Sequence, residues 1–406
     1  MKEQIYLNSK KIGYPYPVDS LQMSTYTLPL VYYKGRYVID SAGYNQYLKH
    51  LYNTEKTSED KSKEIESAKK DKERIDLELE IETLDDLIAL GRRVEAGEYS
   101  LEDHIEYNID LKMIMDLIPE MLDLKSMVGQ EGLKTQVANL ILYYSLHLNI
   151  VNDDLLHTII DGEPGTGKTE FAQKIAKIYL KMGVLKKDIF KKVKRSDLIA
   201  GFLGQTAIKT MEVIKEVRGG VLFIDEAYSL GNSQGKDSRD SFSKECIDII
   251  NQSLTEMRDN PKDYFILMIA GYKDDLKRSF FSFNDGLERR FTIHFTMDKY
   301  SAADLAEIFK KKAREAKWDY TEDAIDLEFM EKNLDYFKYA GGDMEVLFSK
   351  CKIAHSKNLI RGKNKNSRIL NKADIEDGME IFRSNPNISS RREEDTGNIF
   401  WKSMYN

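Results

Sequence analysis

The chain is poor in the residues that define several classes of protein. It has two cysteines in 406 residues, Cys246 and Cys351. This number excludes a disulfide framework and a four-cysteine zinc site. It also favours a reduced, cytoplasmic compartment. The 7 prolines and 24 glycines are too few for a collagen-like or proline-rich disordered chain.

Long hydrophobic runs and a dominant charge are also missing. The most apolar stretch, 137–151, contains Asn139 and His147 and is shorter than the ~20 residues of a membrane-spanning helix. We therefore expect a buried helix there and no membrane span. The 61 basic and 68 acidic residues give a net charge of −7, which argues against a chain built mainly to coat nucleic acid or an anionic membrane.

Composition divides the chain into segments. Residues 1–53 are rich in tyrosine and predict a small N-terminal domain, with a β-hairpin formed by 30–33 and 36–39 around Lys34-Gly35. Residues 54–120 begin with mixed charges and continue with helical spacing of apolar residues, which predicts a charged and amphipathic helical linker. Residues 300–385 predict a small helical domain, and 386–406 a mobile polar tail.

The segment 121–299 alternates short β-prone runs with longer amphipathic stretches. The apolar runs lie at 157–161, 221–225, 265–270 and 291–295. Such alternation is typical of a parallel sheet with helices on both faces. We therefore predict an α/β domain here.

A phosphate-binding loop follows the first of these runs. The residues fit G-x-x-x-x-G-K-[ST] between a strand and a helix, which is the context that this motif requires. Its backbone amides would surround phosphate oxygens of ATP, Lys168 would reach the β- and γ-phosphates, and Thr169 would bind Mg²⁺. The predicted loop residues are Gly162, Pro164, Gly165, Thr166, Gly167, Lys168, Thr169 and Glu170.

Two carboxylates follow the second apolar run. Asp225 and Glu226 come directly after Val221-Leu222-Phe223-Ile224, at the strand end where ligands bind in open α/β sheets. Asp225 suits Mg²⁺, and Glu226 suits orienting and deprotonating an attacking water. Beside the phosphate loop, this pair predicts ATP hydrolysis.

Together these motifs resemble those of the AAA+ ATPases, over about residues 124–359. The finer resemblance is to the family of the red-type rubisco activase, the stage V sporulation protein K and the type VII secretion ATPase. It is carried by five ordered stretches: 127–130, 195–210, 219–230, 270–272 and 286–291. The resemblance implies an AAA+ P-loop sheet with a helical lid at 300–385, and it implies that Val128 and Gly129 flank adenine.

The same resemblance implies two further sites. Phe202, Leu203 and Gly204 take the place of a pore loop that grips a client polypeptide, although from its own surroundings Phe202 could equally be a core aromatic. Arg290, with Arg289 as a neighbour that could share the role, takes the place of the arginine that reaches the γ-phosphate of the next subunit. A surface arginine pair is the plain alternative.

Two positions depart from the wider pattern. Tyr272 stands where many AAA+ proteins carry a sensor asparagine. Met344 and Leu347 lie at or near positions where rubisco-activase-like proteins carry lid arginines. We therefore nominate no lid arginine.

The favoured function is an ATP-driven ring motor, a homo-oligomer and expected hexamer that remodels a client protein. The N-terminal 120 residues would select the client or an adaptor. A nucleic-acid motor is an alternative because 181–195 is rich in lysine and arginine, although a solvated surface explains that run too. A slowly hydrolysing, nucleotide-gated scaffold is a second alternative. The loop 231–240 could be a second pore loop or a mobile surface loop.

Overall fold

The computed structural model describes residues 73–148, 156–202, 204–231, 241–259 and 264–391, with the backbone of four short strands before residue 40. The chain divides into two units, one of residues 1–75 with 102–106 and one of 76–101 with 107–406. Within the described part of the chain, no helix is long and apolar enough to cross a membrane. The charged stretch 55–72, the loop 232–240 and the tail 392–406 lie outside the described residues.

The first unit contains a four-stranded antiparallel sheet with the strand order β1-β4-β3-β2. Residues 30–33 of β3 pair with 36–39 of β4, as the predicted hairpin requires. The strands are β1 Tyr6–Leu7, β2 Ser20–Met23, β3 Tyr26–Tyr33 and β4 Arg36–Ile39. Two short strands that pair with each other follow, β5 Glu73–Ile75 and β6 Ile105–Tyr107.

The second unit is built on a five-stranded sheet with the order β11-β7-β10-β9-β8, in which every pair is parallel. The predicted apolar runs form four of these strands. The fifth, β8, was not predicted, because two of its four residues are lysines. The strands are β7 Thr158–Asp161, β8 Phe190–Val193, β9 Val221–Ile224, β10 Ile266–Gly271 and β11 Ile293–Thr296.

Helices cover both faces of this sheet, because successive residues of a strand point to opposite sides. In β9, Phe223 belongs to one core and Leu222 to the other, and all four residues of the strand are buried. The helices of this part are α1 Leu84–Glu95, α2 Leu111–Asp116, α3 Ile118–Lys125, α4 Glu131–Ser145, α5 Lys168–Lys181, α6 Arg195–Leu198, α7 Thr206–Glu216, α8 Ser241–Asp259, α9 Lys273–Arg278 and α10 Asp285–Glu288.

Helices α1 and α2, with the first three residues of α3, lie inside the segment 54–120 that was predicted as a linker. Leu87, Ile114 and Met121 are fully buried in one core with α4, α5 and one face of the sheet. By packing, residues 84–125 therefore belong to the α/β unit, because their apolar stripes need a surface to cover.

A third core joins the helices after residue 300. Ser301 caps the first of them by accepting a hydrogen bond from the Asp304 backbone. Ile388 is buried in this core, so the first residues of the predicted mobile tail are packed rather than free. The elements are α11 Ala302–Glu315, β12 Asp319–Tyr320, α12 Leu327–Asn333, α13 Ala340–Ile360, β13 Ile369–Leu370, α14 Lys372–Arg383 and α15 Pro386–Ser389.

Candidate nucleotide-binding site

The loop between β7 and α5 is shaped by glycines. Gly165 and Gly167 have φ of +75° and +94°, a region that other residues rarely adopt. Helix α5 begins at Lys168, directly after the loop. The amides of the loop and the positive end of the helix dipole therefore face the same space, which favours an anion.

The Lys168 ammonium is held by the loop itself. Its Nζ donates hydrogen bonds to the carbonyl oxygens of Gly162, at 2.8 Å, and Glu163, at 2.6 Å. Burial lowers the pKa of Lys168, while the negative charges of Asp225 and Asp161 oppose this shift. A phosphate would offer this cation stronger acceptors than two neutral carbonyls do.

The second strand of the site, β9, delivers Asp225 and Glu226 to the same edge of the sheet. The Thr169 hydroxyl donates to Asp225 Oδ2 at 3.3 Å, which joins residues 56 positions apart. Glu226 is exposed and has a φ of +52°. Such a conformation costs a non-glycine residue roughly 1–3 kcal/mol and tends to cluster at functional sites.

The oxygens of Thr169 and Asp225 already attract a cation. The Lys192 ammonium lies 2.6 Å from Asp225 Oδ2 and 3.2 Å from Thr169 Oγ1. A hydroxyl and a carboxylate are hard oxygen donors that suit Mg²⁺. No group of three or more His, Cys, Asp or Glu able to hold a metal occurs among the residues with described positions. A Mg²⁺ ion here would therefore take its other ligands from nucleotide phosphates and water.

These residues line a cavity of about 480 Å³ between the sheet and the helices after residue 300. Met127, Val128 and Ile308 contribute apolar side chains to the lining, and the phosphate loop with Asp225 and Glu226 contributes polar groups. Of the predicted residues, those that line the cavity are Val128, Pro164, Gly165, Gly167, Lys168, Thr169, Glu170, Asp225 and Glu226.

Three predicted residues do not line the cavity but belong to the loops that form it. The Thr166 side chain is buried and donates to the Glu163 carbonyl at 2.8 Å. A Cβ at Gly162 would lie 2.7 Å from Met297 Cβ, so only glycine fits there. Gly129 has φ of +62° and precedes Gln130, which exchanges two hydrogen bonds with the Asp298 backbone.

The helical domain contacts the phosphate loop directly. The Gly341 amide donates to the Gly165 carbonyl at 3.2 Å, and the Tyr300 hydroxyl donates to the Thr166 carbonyl at 2.9 Å. Burial raises the pKa of Tyr300 to about 12, so its phenol stays protonated and remains a donor at neutral pH. The domain is therefore coupled to the loop by hydrogen bonds and acts geometrically as a lid.

Hydrogen bonds from Arg391, near the end of the described chain, stabilise the turn that contacts the phosphate loop. Arg391 Nη1 donates to the buried Asp343 carboxylate at 2.8 Å and to the Tyr336 carbonyl at 2.7 Å. The same carboxylate oxygen accepts from the Tyr339 amide at 2.6 Å. These bonds hold the turn from which Gly341 reaches the phosphate loop.

The two candidate arginines lie away from the cavity of their own chain. Arg290 donates from Nη2 to the Thr255 hydroxyl on α8 at 2.9 Å, whereas Arg289 is exposed. Burial, helped by the charge of Arg290, lowers the pKa of the buried His157 to about 3. His157 therefore stays neutral and accepts the Leu267 amide hydrogen through Nδ1.

The side chain of the candidate pore residue, Phe202, is exposed to solvent. Phe202 is 73% exposed, which removes the interpretation of a core aromatic. Gly204 has φ of +78° with open space around it. Leu203 lies outside the described residues.

Several residues of the site were not nominated from the sequence. Tyr228 and Tyr300 line the cavity, and so do Lys311 and Lys312 of α11. Tyr272 also lines it, although the sequence pointed to this residue only as a departure from the sensor asparagine. No signal in the sequence pointed to the two lysines, because a charged residue on a helix is usually exposed to solvent.

Comparison with known proteins agrees with this geometry. The profile described as "ATPase family associated with various cellular activities (AAA)" matches residues 158–295. A putative cfxQ-like protein of Acanthamoeba polyphaga mimivirus is 36% identical over 76% of this chain and 74% of its own. The chain belongs to the AAA ATPase family.

Other relatives of this AAA ATPase extend the similarity. A protein CfxQ homolog of Galdieria sulphuraria is 30% identical over 69% of this chain and 92% of its own. The stage V sporulation protein K of Bacillus subtilis is 35% identical over 50% of this chain and 62% of its own. The family predicted from the motifs is confirmed, as are the AAA fold and ATP hydrolase activity.

Proposed function

We propose that this AAA ATPase is a protein-remodelling motor that couples hydrolysis of Mg²⁺-ATP to pulling on a client polypeptide. The exposed Phe202 carries the proposal. An aromatic ring that is 73% exposed leaves a large apolar area in water, and such area often marks a contact surface. A ring of these side chains would grip many polypeptides by area contact without reading their sequence.

The roles of the site residues follow from their positions. Lys168 would leave the two loop carbonyls for the β- and γ-phosphates, and Thr169 with Asp225 would hold Mg²⁺. The ion would neutralise charge that develops on the phosphates. Glu226, exposed beside Asp225, would orient the attacking water and accept its proton.

The assembly belongs to the proposal as well. AAA proteins typically act as oligomers, and Arg290 lies outside its own cavity, so it would serve the site of a neighbouring subunit in a homo-oligomer, expected to be a hexamer. The N-terminal residues would select the client or adaptor. The compartment is proposed to be cytoplasmic, in keeping with the free, buried Cys246 and Cys351.

The basic run 181–195 supports a nucleic-acid partner poorly. Lys191 pairs with Glu216 and Lys192 with Asp225. Arg195 donates to the Ser229 carbonyl and the Ser243 hydroxyl. Cations engaged in this way are less available to phosphate backbones.

The test compares Phe202→Ala with Phe202→Tyr and with Ile208→Ala, a control that removes a nearby side chain of 62% exposure. The readout is stimulation of the ATPase by reduced, carboxymethylated α-lactalbumin, a permanently unfolded polypeptide. We expect Phe202→Ala to lose stimulation while basal ATPase and melting temperature stay within the range of the Ile208→Ala control. Phe202→Tyr should keep most of the stimulation.

Two outcomes would contradict the motor. Stimulation by single-stranded DNA or RNA with none by the polypeptide would favour a nucleic-acid motor. Assembly that needs ATP binding and is unchanged by blocked hydrolysis, with no polypeptide effect, would favour a nucleotide-gated scaffold.

A further inference from the structure

Lys192 reaches the candidate metal site from the edge of the sheet. It lies on β8, an edge strand of the sheet, beside Phe223 of β9 in the parallel register. The Asp225 amide donates to the Val193 carbonyl at 3.1 Å. This bond extends the ladder by one residue and holds Asp225 next to the end of β8.

The Lys192 ammonium contacts the two oxygens that are the candidate ligands of Mg²⁺. It lies 2.6 Å from the Asp225 carboxylate and 3.2 Å from the Thr169 hydroxyl. Both oxygens belong to the pair that would bind Mg²⁺. The ammonium also lies 5.9 Å from the Phe223 ring centroid, which gives it a further weak attraction.

The preceding residue provides an internal comparison. Lys191 points to the other face of the strand and pairs with Glu216 of α7. The two lysines therefore have the same charge and neighbouring backbones, and each has an acidic partner. They differ in that only the partner of Lys192 lines the nucleotide cavity.

We propose that Lys192 is a built-in counter-ion for the metal site, which holds Thr169 and Asp225 in place before nucleotide arrives and competes with Mg²⁺ for them. The side chain is 39% exposed, so it can withdraw to solvent when the divalent ion enters. This inference rests on the proposal that Thr169 and Asp225 bind Mg²⁺. Its consequence is that Lys192 sets the Mg²⁺ concentration at which the ATPase loads its nucleotide.

Loss of the Lys192 charge predicts two effects of Lys192→Met, one without Mg²⁺ and one with it. Without Mg²⁺, the Asp225 charge would be uncompensated and would repel the nucleotide phosphates, so affinity should fall. With Mg²⁺, no ammonium has to be displaced, so half-maximal loading should need less of the ion. An exposed pair of this kind is worth a modest amount, so each shift should be about fivefold.

The experiment measures binding of a fluorescent N-methylanthraniloyl-ATP to the full chain, first in EDTA and then across a Mg²⁺ series. Lys192→Met is compared with Lys192→Arg, which keeps the charge, and with Lys191→Met, the matched control. We expect Lys192→Met to bind more weakly in EDTA and to reach half-saturation at lower Mg²⁺. Lys192→Arg and Lys191→Met should behave like the wild-type chain.

The possible failures can be told apart. If the wild-type chain binds the nucleotide equally well with and without Mg²⁺, the metal site itself is wrong. If the wild-type chain depends on Mg²⁺ but Lys192→Met follows the Lys191→Met curve, the metal site stands and the role of Lys192 is refuted. An unfolded Lys192→Met chain would be recognised by its melting curve, and Lys192→Gln would then carry the same test.

Discussion

Asp374, a buried residue of α14, gathers the polar side chains of the lid core around one carboxylate. His355 Nδ1 lies 2.9 Å from Oδ2, and the side-chain amides of Asn358 and Asn364 donate at 2.9 and 2.6 Å. Burial alone would raise the pKa of Asp374, but these bonds, together with those from Asn371, outweigh it and lower the pKa. The charged carboxylate is therefore the form that the fold needs.

Removal of this carboxylate should destabilise the lid strongly. Asp374→Ala would leave three buried partners without their acceptor, so we expect a loss of about 3 kcal/mol in the free energy of unfolding. Asp377→Ala, on the same helix with a partly exposed partner in Lys363, should cost less than about 1 kcal/mol. Denaturant unfolding at pH 7 measures both, and equal losses would contradict the network.

The lowered pKa also fixes the sign of a pH effect. Because the folded pKa lies below the unfolded one, the stabilisation is fully present above the ordinary aspartate pKa of about 4 and is lost as pH falls towards the folded value. The stability difference between the wild-type chain and Asp374→Asn should therefore shrink as the pH falls below about 4. A difference that grows on acidification would refute this assignment.

Lys168 and Glu226 should separate nucleotide binding from hydrolysis. Lys168→Ala removes the cation poised at the phosphate loop, so it should abolish binding of the fluorescent ATP analogue. Glu226→Gln removes the proposed proton acceptor but leaves Asp225, so it should bind normally and lose a factor on the order of 10² to 10⁴ in phosphate release. Wild-type turnover by Glu226→Gln would show that another group activates the water.

At the scale of secondary-structure elements, the crossing of α13 and α14 depends on a missing side chain. A Cβ at Gly378 would lie 2.6 Å from Cys351 Sγ and 2.8 Å from its Cα. Relief of this clash would require the packed backbone of α13 to shift. Gly378→Ala should therefore destabilise the protein by about 1–3 kcal/mol. The measurement is thermal or denaturant unfolding.

A second helical glycine provides the control. At Gly132 of α4 the nearest atom to an added Cβ is 3.9 Å away, so Gly132→Ala should be neutral or stabilise by up to about 1 kcal/mol. If both substitutions destabilise equally, helix crossing is not the cause.

The elements also show why the sequence predicted some features and missed others. The strands β9 and β10 are nearly continuous apolar runs because both of their faces are covered, and β7 is buried along its whole length. Strand β8 has an exposed edge and Lys191-Lys192 at its centre, so its composition resembles a surface loop. The position of Lys192 beside the candidate metal site follows from its place on that strand and could not be predicted from composition.

Contacts between segments that are distant in the sequence could likewise not be predicted from local motifs. The bonds of Gly341 and Tyr300 to the phosphate loop join residues more than a hundred positions apart. The motif 162–169 predicted the loop because its chemistry is local. The lid residues that meet it carry no such motif, since small residues and tyrosines are common everywhere.

At the scale of the whole molecule, Arg290 should report on assembly. Arg290→Ala should bind ATP yet lose hydrolysis by about 10³, the effect of a lost arginine finger. Mixing these subunits with Lys168→Ala subunits should restore part of the activity, because some interfaces would then hold one intact site. The measurement is ATPase rate against mixing ratio in oligomers shown to exchange subunits.

The hydrogen bond within the chain supplies a control for that experiment. Thr255→Ala removes one hydrogen-bond partner of Arg290 without removing the guanidinium. We expect it to keep most of the ATPase activity. If it matches Arg290→Ala, or if mixing restores nothing, the arginine acts within its own subunit.

The common core of α1 to α3 with the sheet has a practical meaning for anyone who shortens this protein. A chain that starts at residue 121, where the predicted α/β domain begins, would lack the helices that pack with residues such as Val137, Ile141 and Ile175 and would expose an apolar surface to water. Such a fragment should be recovered as aggregate. A chain that starts at residue 76 keeps these helices, so it should be recovered intact and still hydrolyse ATP.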